Sequence, residues 1–260
     1  MSASLFSLLF VATLGLGCGL HLWLQARQIR HVSNHRAQVP DEFAESIPLE
    51  SHQRSADYTV CKSRFTQFET LYEAALLLTF TLGGIINWLD TLSRSFTDSP
   101  IGAGLILIAG VSVLYTLLTL PVSIYSTFVV EARYGFNNIT AKLFVLDLVK
   151  SGLLAAIIGL PLAALVLWLM ARMGDYWWLW VWLTWVGFSL LLMLVFPTWI
   201  APLFNKFLPL EDAELKADIE ALLQRCGFTS SGVFVMDGSK RSNHGNAYFT
   251  GFGAAKRIVF

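Results

Sequence analysis

Five stretches in which apolar residues crowd out polar ones divide the chain, at residues 5–24, 74–89, 101–130, 151–171 and 176–204. A hydrocarbon core of about 30 Å takes about 20 helical residues, so each stretch reads as a membrane span. The second is short, and the helix-compatible residues 55–72 before it, with Phe65, Phe68 and Tyr72 at helical spacing, predict a helix that enters the membrane from their side. Pro121 in the third predicts a kink or an end to the regular helix. The fourth extends back to Thr140, which follows the Asn137–Asn138 turn and suits an N-cap. Within that helix Asp147 and Lys150, three apart, share a face and are expected to neutralise each other at the interface. The fifth opens on Tyr176, Trp177, Trp178 and Trp180, an aromatic belt, and closes on Pro197 and Pro202, which are expected to end the helix.

Beyond residue 204 the pattern becomes that of a soluble α+β domain. Residues 209–225 predict an amphipathic helix with Leu215, Ile219, Leu222 and Cys226 on one face, acids in its first turn, and Gly227 as its stop. A strand over 233–237 follows, then a polar, glycine-punctuated loop, then two short strands at 246–250 and 257–260 that read as a β-hairpin. The predicted fold class is thus a multi-pass α-helical membrane protein of five spans (residues 1–204) followed by the start of an α+β domain (residues 205–260). An apolar strand at the very end is expected of a domain cut short.

Composition agrees with the pattern. Of 260 residues, 55% are hydrophobic and only 14% charged, with nine Trp and nineteen Phe. Zero formal net charge and the absence of a basic face argue against a nucleic-acid partner, and the expected surroundings are a lipid bilayer. No Lys or Arg precedes the first span while Arg27 and Arg30 follow it, which is the reverse of a cleaved signal peptide. Counted on alternating sides of five spans, sixteen Lys and Arg fall on one side against Arg94 and Arg172 on the other. The positive-inside tendency then puts the N-terminus outside and residues 205–260 in the cytosol. Short loops favour a bacterial inner membrane, or the endoplasmic reticulum membrane if the host is eukaryotic. Cys18, Cys61 and Cys226 are too scattered for a zinc or disulfide pattern and read as free thiols.

The candidate chemistry is sparse. Of five histidines only His31 and His35 stand four apart, with Val32 rather than Glu following the first and Arg27, Arg30 and Arg36 around them, so no metal site is assigned within the chain. Glu131 is expected to pair with Arg133 as an exposed ion pair worth under about 1 kcal/mol, or else with a basic residue of the α+β domain, and Lys240 and Arg241 read as solvated loop cations.

Four blocks carry a resemblance: SHQRSADYT at 51–59, FVVEARYGFNNIT at 128–140, PTWIAPLFNKFLPLEDAELK at 197–216, and FVMDGSKRSNHGNAYFTGFGAAKRIVF at 234–260. In this order they resemble the N-terminal part of the integral-membrane CAAX prenyl protease type I family, zinc metalloendopeptidases. The resemblance implies a seven-span helical barrel around a membrane chamber, with a cytosolic zinc protease domain that cuts near the C-terminus of a lipidated or membrane-associated polypeptide. It implies Zn²⁺ held by an HExxH helix and a further glutamate, none of which occurs in these residues, so catalytic and metal residues are none here and the chain alone is expected to be inactive. It also implies that the NAYFTG segment is the edge strand that holds an extended peptide, which assigns substrate binding to Asn246, Ala247 and Tyr248. The other class of function is a non-catalytic membrane scaffold or a transporter-like relative. Against transport, the spans carry almost no mid-membrane charge.

Overall fold

The computed structural model of the chain describes residues 2–228, 230, 232–251 and 256–260. The chain forms two compact units, Met1–Gly135 and Phe136–Phe260. This division does not follow the change in composition at residue 204, because the small sheet belongs to the same unit as the last two spans.

The first unit contains α1 (Ala3–Asn34), α2 (Leu49–Thr81), α3 (Ile85–Phe96) and α4 (Pro100–Tyr125). Helices α1 and α2 pack along one another and α3 packs on α4, with Phe80, Leu76, Leu89 and Ala103 among the buried residues. The second apolar stretch is not one helix. It stops at Thr81 and resumes at Ile85 with a 49° bend. Gly83 and Gly84 cause the break: a Cβ on Gly83 would lie 2.5 Å from the Thr79 carbonyl oxygen, and Gly84 has φ +84°, where other residues are strained. Pro121 does not end α4, which runs on to Tyr125 and then widens into a π-helical turn over Ser126–Glu131.

The second unit begins with the loop from Phe136 and α5 (Ala141–Arg172), whose N-cap is Thr140 as expected: its Oγ1 accepts from the Leu143 N–H at 3.2 Å. Helix α6 (Trp177–Val195) continues through a π-helical turn, Phe196–Ile200, into the single turn α7 (Ala201–Phe204). Pro197 therefore lies inside a π-turn rather than at the end of the helix, which stops at Phe204, two residues after Pro202. Four helices are long and apolar enough to cross a membrane, five if the bent pair α2–α3 counts as one, and their most apolar windows are almost wholly unburied by protein. The chain is a multi-pass α-helical membrane protein.

The remaining elements are β1 (Phe207–Pro209), α8 (Ala213–Arg225), β2 (Val233–Met236), β3 (Tyr248–Thr250) and β4 (Arg257–Val259). Helix α8 starts four residues later than its sequence pattern predicts. The Asp212 carboxylate accepts from the N–H groups of Glu214 and Leu215 at 3.1 and 3.0 Å and so sets its N-cap. Residues 207–209 become a strand the pattern does not announce. The sheet order is β1-β2-β4-β3, with β2 and β4 parallel and the other pairs antiparallel. The central strands hold the core: Val259 is fully buried and Val233 nearly so.

Candidate peptide-binding edge and its anchorage

Two strands end the sheet, and they differ as docking edges. Strand β1 contains Pro209, which lacks the donor a new strand would need. Strand β3 has no proline, pairs with β4 on one side through Tyr248–Val259, Phe249–Ile258 and Thr250–Arg257, and has no strand on its other side among the described residues. The hairpin expected from sequence is therefore present, with an edge able to accept a further strand.

Of the three residues assigned to substrate binding, Tyr248 opens β3, while Asn246 and Ala247 precede it in exposed chain outside the strand. The Asn246 Oδ1 accepts from the Ala247 N–H at 2.9 Å. The Tyr248 hydroxyl lies 3.7 Å from the Met236 sulfur; burial pushes its pKa up, partly opposed by Arg257. Phe249 meets Phe228 edge-on at 5.7 Å between ring centres.

The loop before β3 is held by a partner absent from the sequence-based site. Asn138 Nδ2 donates to the Ser239 carbonyl at 2.8 Å and to Asn243 Oδ1 at 2.6 Å, and its backbone N–H donates to the Arg241 carbonyl at 3.0 Å. Asn137 bridges to Ser242, the Asn243 N–H donates to the Phe136 carbonyl at 3.0 Å, and the His244 ring stacks on Phe136 at 4.1 Å. The FNN turn and the loop into the edge strand thus form one hydrogen-bonded body. Both lie in blocks that carry the family resemblance, which is the one sequence signal that pairs them.

Lys240 and Arg241 are not solvated cations. Lys240 Nζ donates to Asp237 Oδ2 at 2.8 Å, and the Lys206 N–H donates to Asp237 Oδ1 at 2.7 Å. Burial alone would raise the Asp237 pKa, but these hydrogen bonds outweigh it and hold the carboxyl below its ordinary value. Arg241 donates from Nε and Nη2 to the two oxygens of Asp147, at 2.6 and 3.0 Å, with side chains only 22% and 18% exposed. It also donates to Asn205 Oδ1, and at 2.9 Å to the Phe204 carbonyl. Asp147 is consequently paired with Arg241 rather than with Lys150, which instead donates to the Leu203 carbonyl at 3.0 Å. Arg257 donates to the Pro197 carbonyl and lies 5.5 and 5.8 Å from the ring centres of Phe207 and Phe234.

These cations sit where the last span leaves carbonyls without N–H partners. Leu203 and Phe204 end the helix, so their carbonyls lack intrahelical donors. In the π-turn the Ala201 N–H reaches the Phe196 carbonyl, and the next residue, Pro202, has no N–H for Pro197. In the first unit Glu131 likewise differs from its sequence-based reading: it accepts from Lys62 Nζ at 2.7 Å and from the Tyr58 hydroxyl at 3.0 and 3.1 Å, with Arg133 outside these bonds.

For zinc, the implied cofactor, the donors do not fit. Among the described residues no three His, Cys, Asp or Glu side chains gather about one point. The rings of His31 and His35 lie 4.3 Å apart, and His35 Nδ1 is 2.8 Å from the His31 carbonyl oxygen. No reaction step is routed through a metal on these residues.

Comparison with known proteins gives the family. Residues 28–206 match the model of the CAAX prenyl protease N-terminal region, five membrane helices, and residues 209–260 match that of peptidase family M48. The chain is 35% identical to the human CAAX prenyl protease 1 homolog over 263 residues, 96% of this chain and 55% of the human protein. It is 37% identical to CAAX prenyl protease 1 of Saccharomyces cerevisiae over 250 residues, 91% of this chain and 54% of the yeast protein. The crystal structure of S. mikatae Ste24p superposes with a TM-score of 0.86 at 35% identity, over 95% of this chain and 58% of that one. The chain spans a little over half the length of these relatives. It belongs to the integral-membrane CAAX prenyl protease type I family, peptidase family M48.

Proposed function

We propose that this chain supplies the membrane part (residues 1–204) and the substrate-gripping strand of a zinc metalloendopeptidase that cuts near the C-terminus of lipidated or membrane-associated polypeptides. The observation that carries the reading is the edge of β3, unpaired by any described strand and free of proline. A peptide laid along such an edge is held by main-chain hydrogen bonds, which tolerate sequence variation, while side chains of alternate residues select it. Asn246, Ala247 and Tyr248 do this work here. Asn246 offers both a donor and an acceptor at the entrance, Ala247 lets the peptide backbone come close, and Tyr248 begins the ladder. Zinc belongs to the whole protein, whose hydrolysis these residues serve by holding the substrate.

The N-terminus faces outward and residues 205–260 face the cytosol, since sixteen Lys and Arg lie on that side against two on the other. Short loops favour a bacterial inner membrane, and the endoplasmic reticulum membrane is the equivalent place in a eukaryotic host.

The test is Asn246→Ala in the whole protein, assayed with farnesylated and unlipidated peptides. Turnover is expected to fall about tenfold or more with the thermal midpoint unchanged, because an exposed side chain contributes within about 0.5 kcal/mol to stability. Parallel losses of turnover and stability would contradict a gripping role.

A further inference from the structure

We propose that Arg241 is a positioning residue for the peptide-binding edge: its guanidinium ties the loop that leads into β3 to α5 and to the end of the last span, and so fixes where the edge lies. This rests on the peptide-binding reading above and names what keeps that edge in register.

The geometry is specific to an arginine. Nε and Nη2 meet both oxygens of Asp147, Nη1 meets Asn205 Oδ1, and Nη2 also meets the Phe204 carbonyl. One planar fork therefore joins three places in the sequence, which a lysine ammonium cannot reproduce. The main chain of the same residue is held as well: its N–H donates to the Gly238 carbonyl at 2.9 Å and its carbonyl accepts from the Asn138 N–H at 3.0 Å.

Anchorage continues toward the strand. Ser242 bridges to Asn137, Asn243 bonds Asn138 and Phe136, and His244 stacks on Phe136. Asn246 is only two residues further on, a reach of at most about 7 Å at the extended-chain limit of about 3.6 Å per residue. The placement of residues 246–248 is thus inherited from the fork. A strand that binds through its backbone tolerates changes of side chain but not displacement, since a shift of about 1 Å misaligns donor and acceptor together.

The experiment compares Arg241→Gln, Arg241→Lys and the exchange Asp147→Arg with Arg241→Asp in the whole protein, using peptide turnover and amide hydrogen exchange. For Arg241→Gln the KM for peptide is expected to rise about tenfold, with kcat per folded molecule changed less than about twofold, the pattern of lost uniform binding. Exchange at residues 246–250 rises while the middle of α5 stays protected. Arg241→Lys falls between, and the exchanged pair recovers part of the KM. A merely structural arginine would lower the folded fraction and leave both KM and exchange at 246–250 at parental values, and that result overturns the proposal. If the parent shows the exchange dependence on Arg241 but no saturable peptide binding, the peptide reading itself is overturned.

Discussion

Two spans of this chain end in the same unusual way and are secured in opposite ways. Helix α4 passes Pro121 and widens into the π-turn Ser126–Glu131; α6 widens into the π-turn Phe196–Ile200 around Pro197 before its last turn. At the first end the helix supplies the charge: Glu131, its side chain 18% exposed, accepts from Lys62 and Tyr58 on α2. At the second the helix offers only bare carbonyls, at Pro197, Leu203 and Phe204, and the cations Arg257, Lys150 and Arg241 come to them. A helix end in or near a membrane must have its polar groups satisfied. The contrast shows that the chain does this with a carboxylate where a neighbouring helix supplies donors, and with donors drawn from α5, from β4 and from the loop after β2 where the helix end and Pro202 leave carbonyls without backbone N–H partners.

The two ends should fail by different amounts. Arg241→Ala is expected to be the largest loss, about 2–3 kcal/mol for charge-assisted hydrogen bonds in a half-buried pair, because it takes donors from Asp147 and from the Phe204 carbonyl. Thermal unfolding in detergent or lipid checks this. Glu131→Gln keeps an acceptor for Tyr58 and Lys62 and should cost about 1.5 kcal/mol, the difference between charged and neutral hydrogen bonds. A larger loss at Glu131 than at Arg241 would reverse the comparison. Smaller still is a coupling. Pro202→Ala restores an N–H that can reach the Pro197 carbonyl, so the cost of Arg257→Leu should drop by about 1 kcal/mol in that background, read as a double-mutant cycle.

The smallest effect is a pH dependence outside the spans. The Asp237 carboxyl lies below its ordinary value in the fold, so the unfolded chain takes up the proton first as pH falls. Its contribution is complete above the unfolded carboxylate pKa of about 4 and is lost as pH falls through the lower folded value. Exchange protection of the Lys206 N–H should follow that loss as pH falls below about 4, and Asp237→Asn should abolish the dependence.

The sequence made local features legible and left distant pairings hidden. Thr140 as an N-cap, Gly227 as a helix stop with φ +64°, and the β3–β4 hairpin all follow from residues within a few positions of one another. The ion pairs do not. Judged by spacing, Glu131 belonged with Arg133 and Asp147 with Lys150, but their partners are 69 and 94 residues away. Pro202 stands two residues before the end of its helix, but Pro197 does not stop it: the rule that proline stops a helix assumes that nothing else can serve the freed carbonyl, and here Arg257 does. Gly83 and Gly84 were visible as letters, but only the bend showed that they split the second apolar stretch. Strand β1, three residues with a proline among them, carries too little pattern to be found.

Seven of the sixteen Lys and Arg counted for the proposed orientation also bond within the fold. Arg36 goes to Asp57, Arg54 to the Tyr134 carbonyl, Lys62 to Glu131, Lys150 to Leu203, Lys240 to Asp237, Arg241 to Asp147 and Arg257 to Pro197. In the proposed orientation the same side chains would serve as threading signal and as lock. Neutralising one such residue is therefore expected to open a joint in the fold as well as to weaken the proposed topological bias.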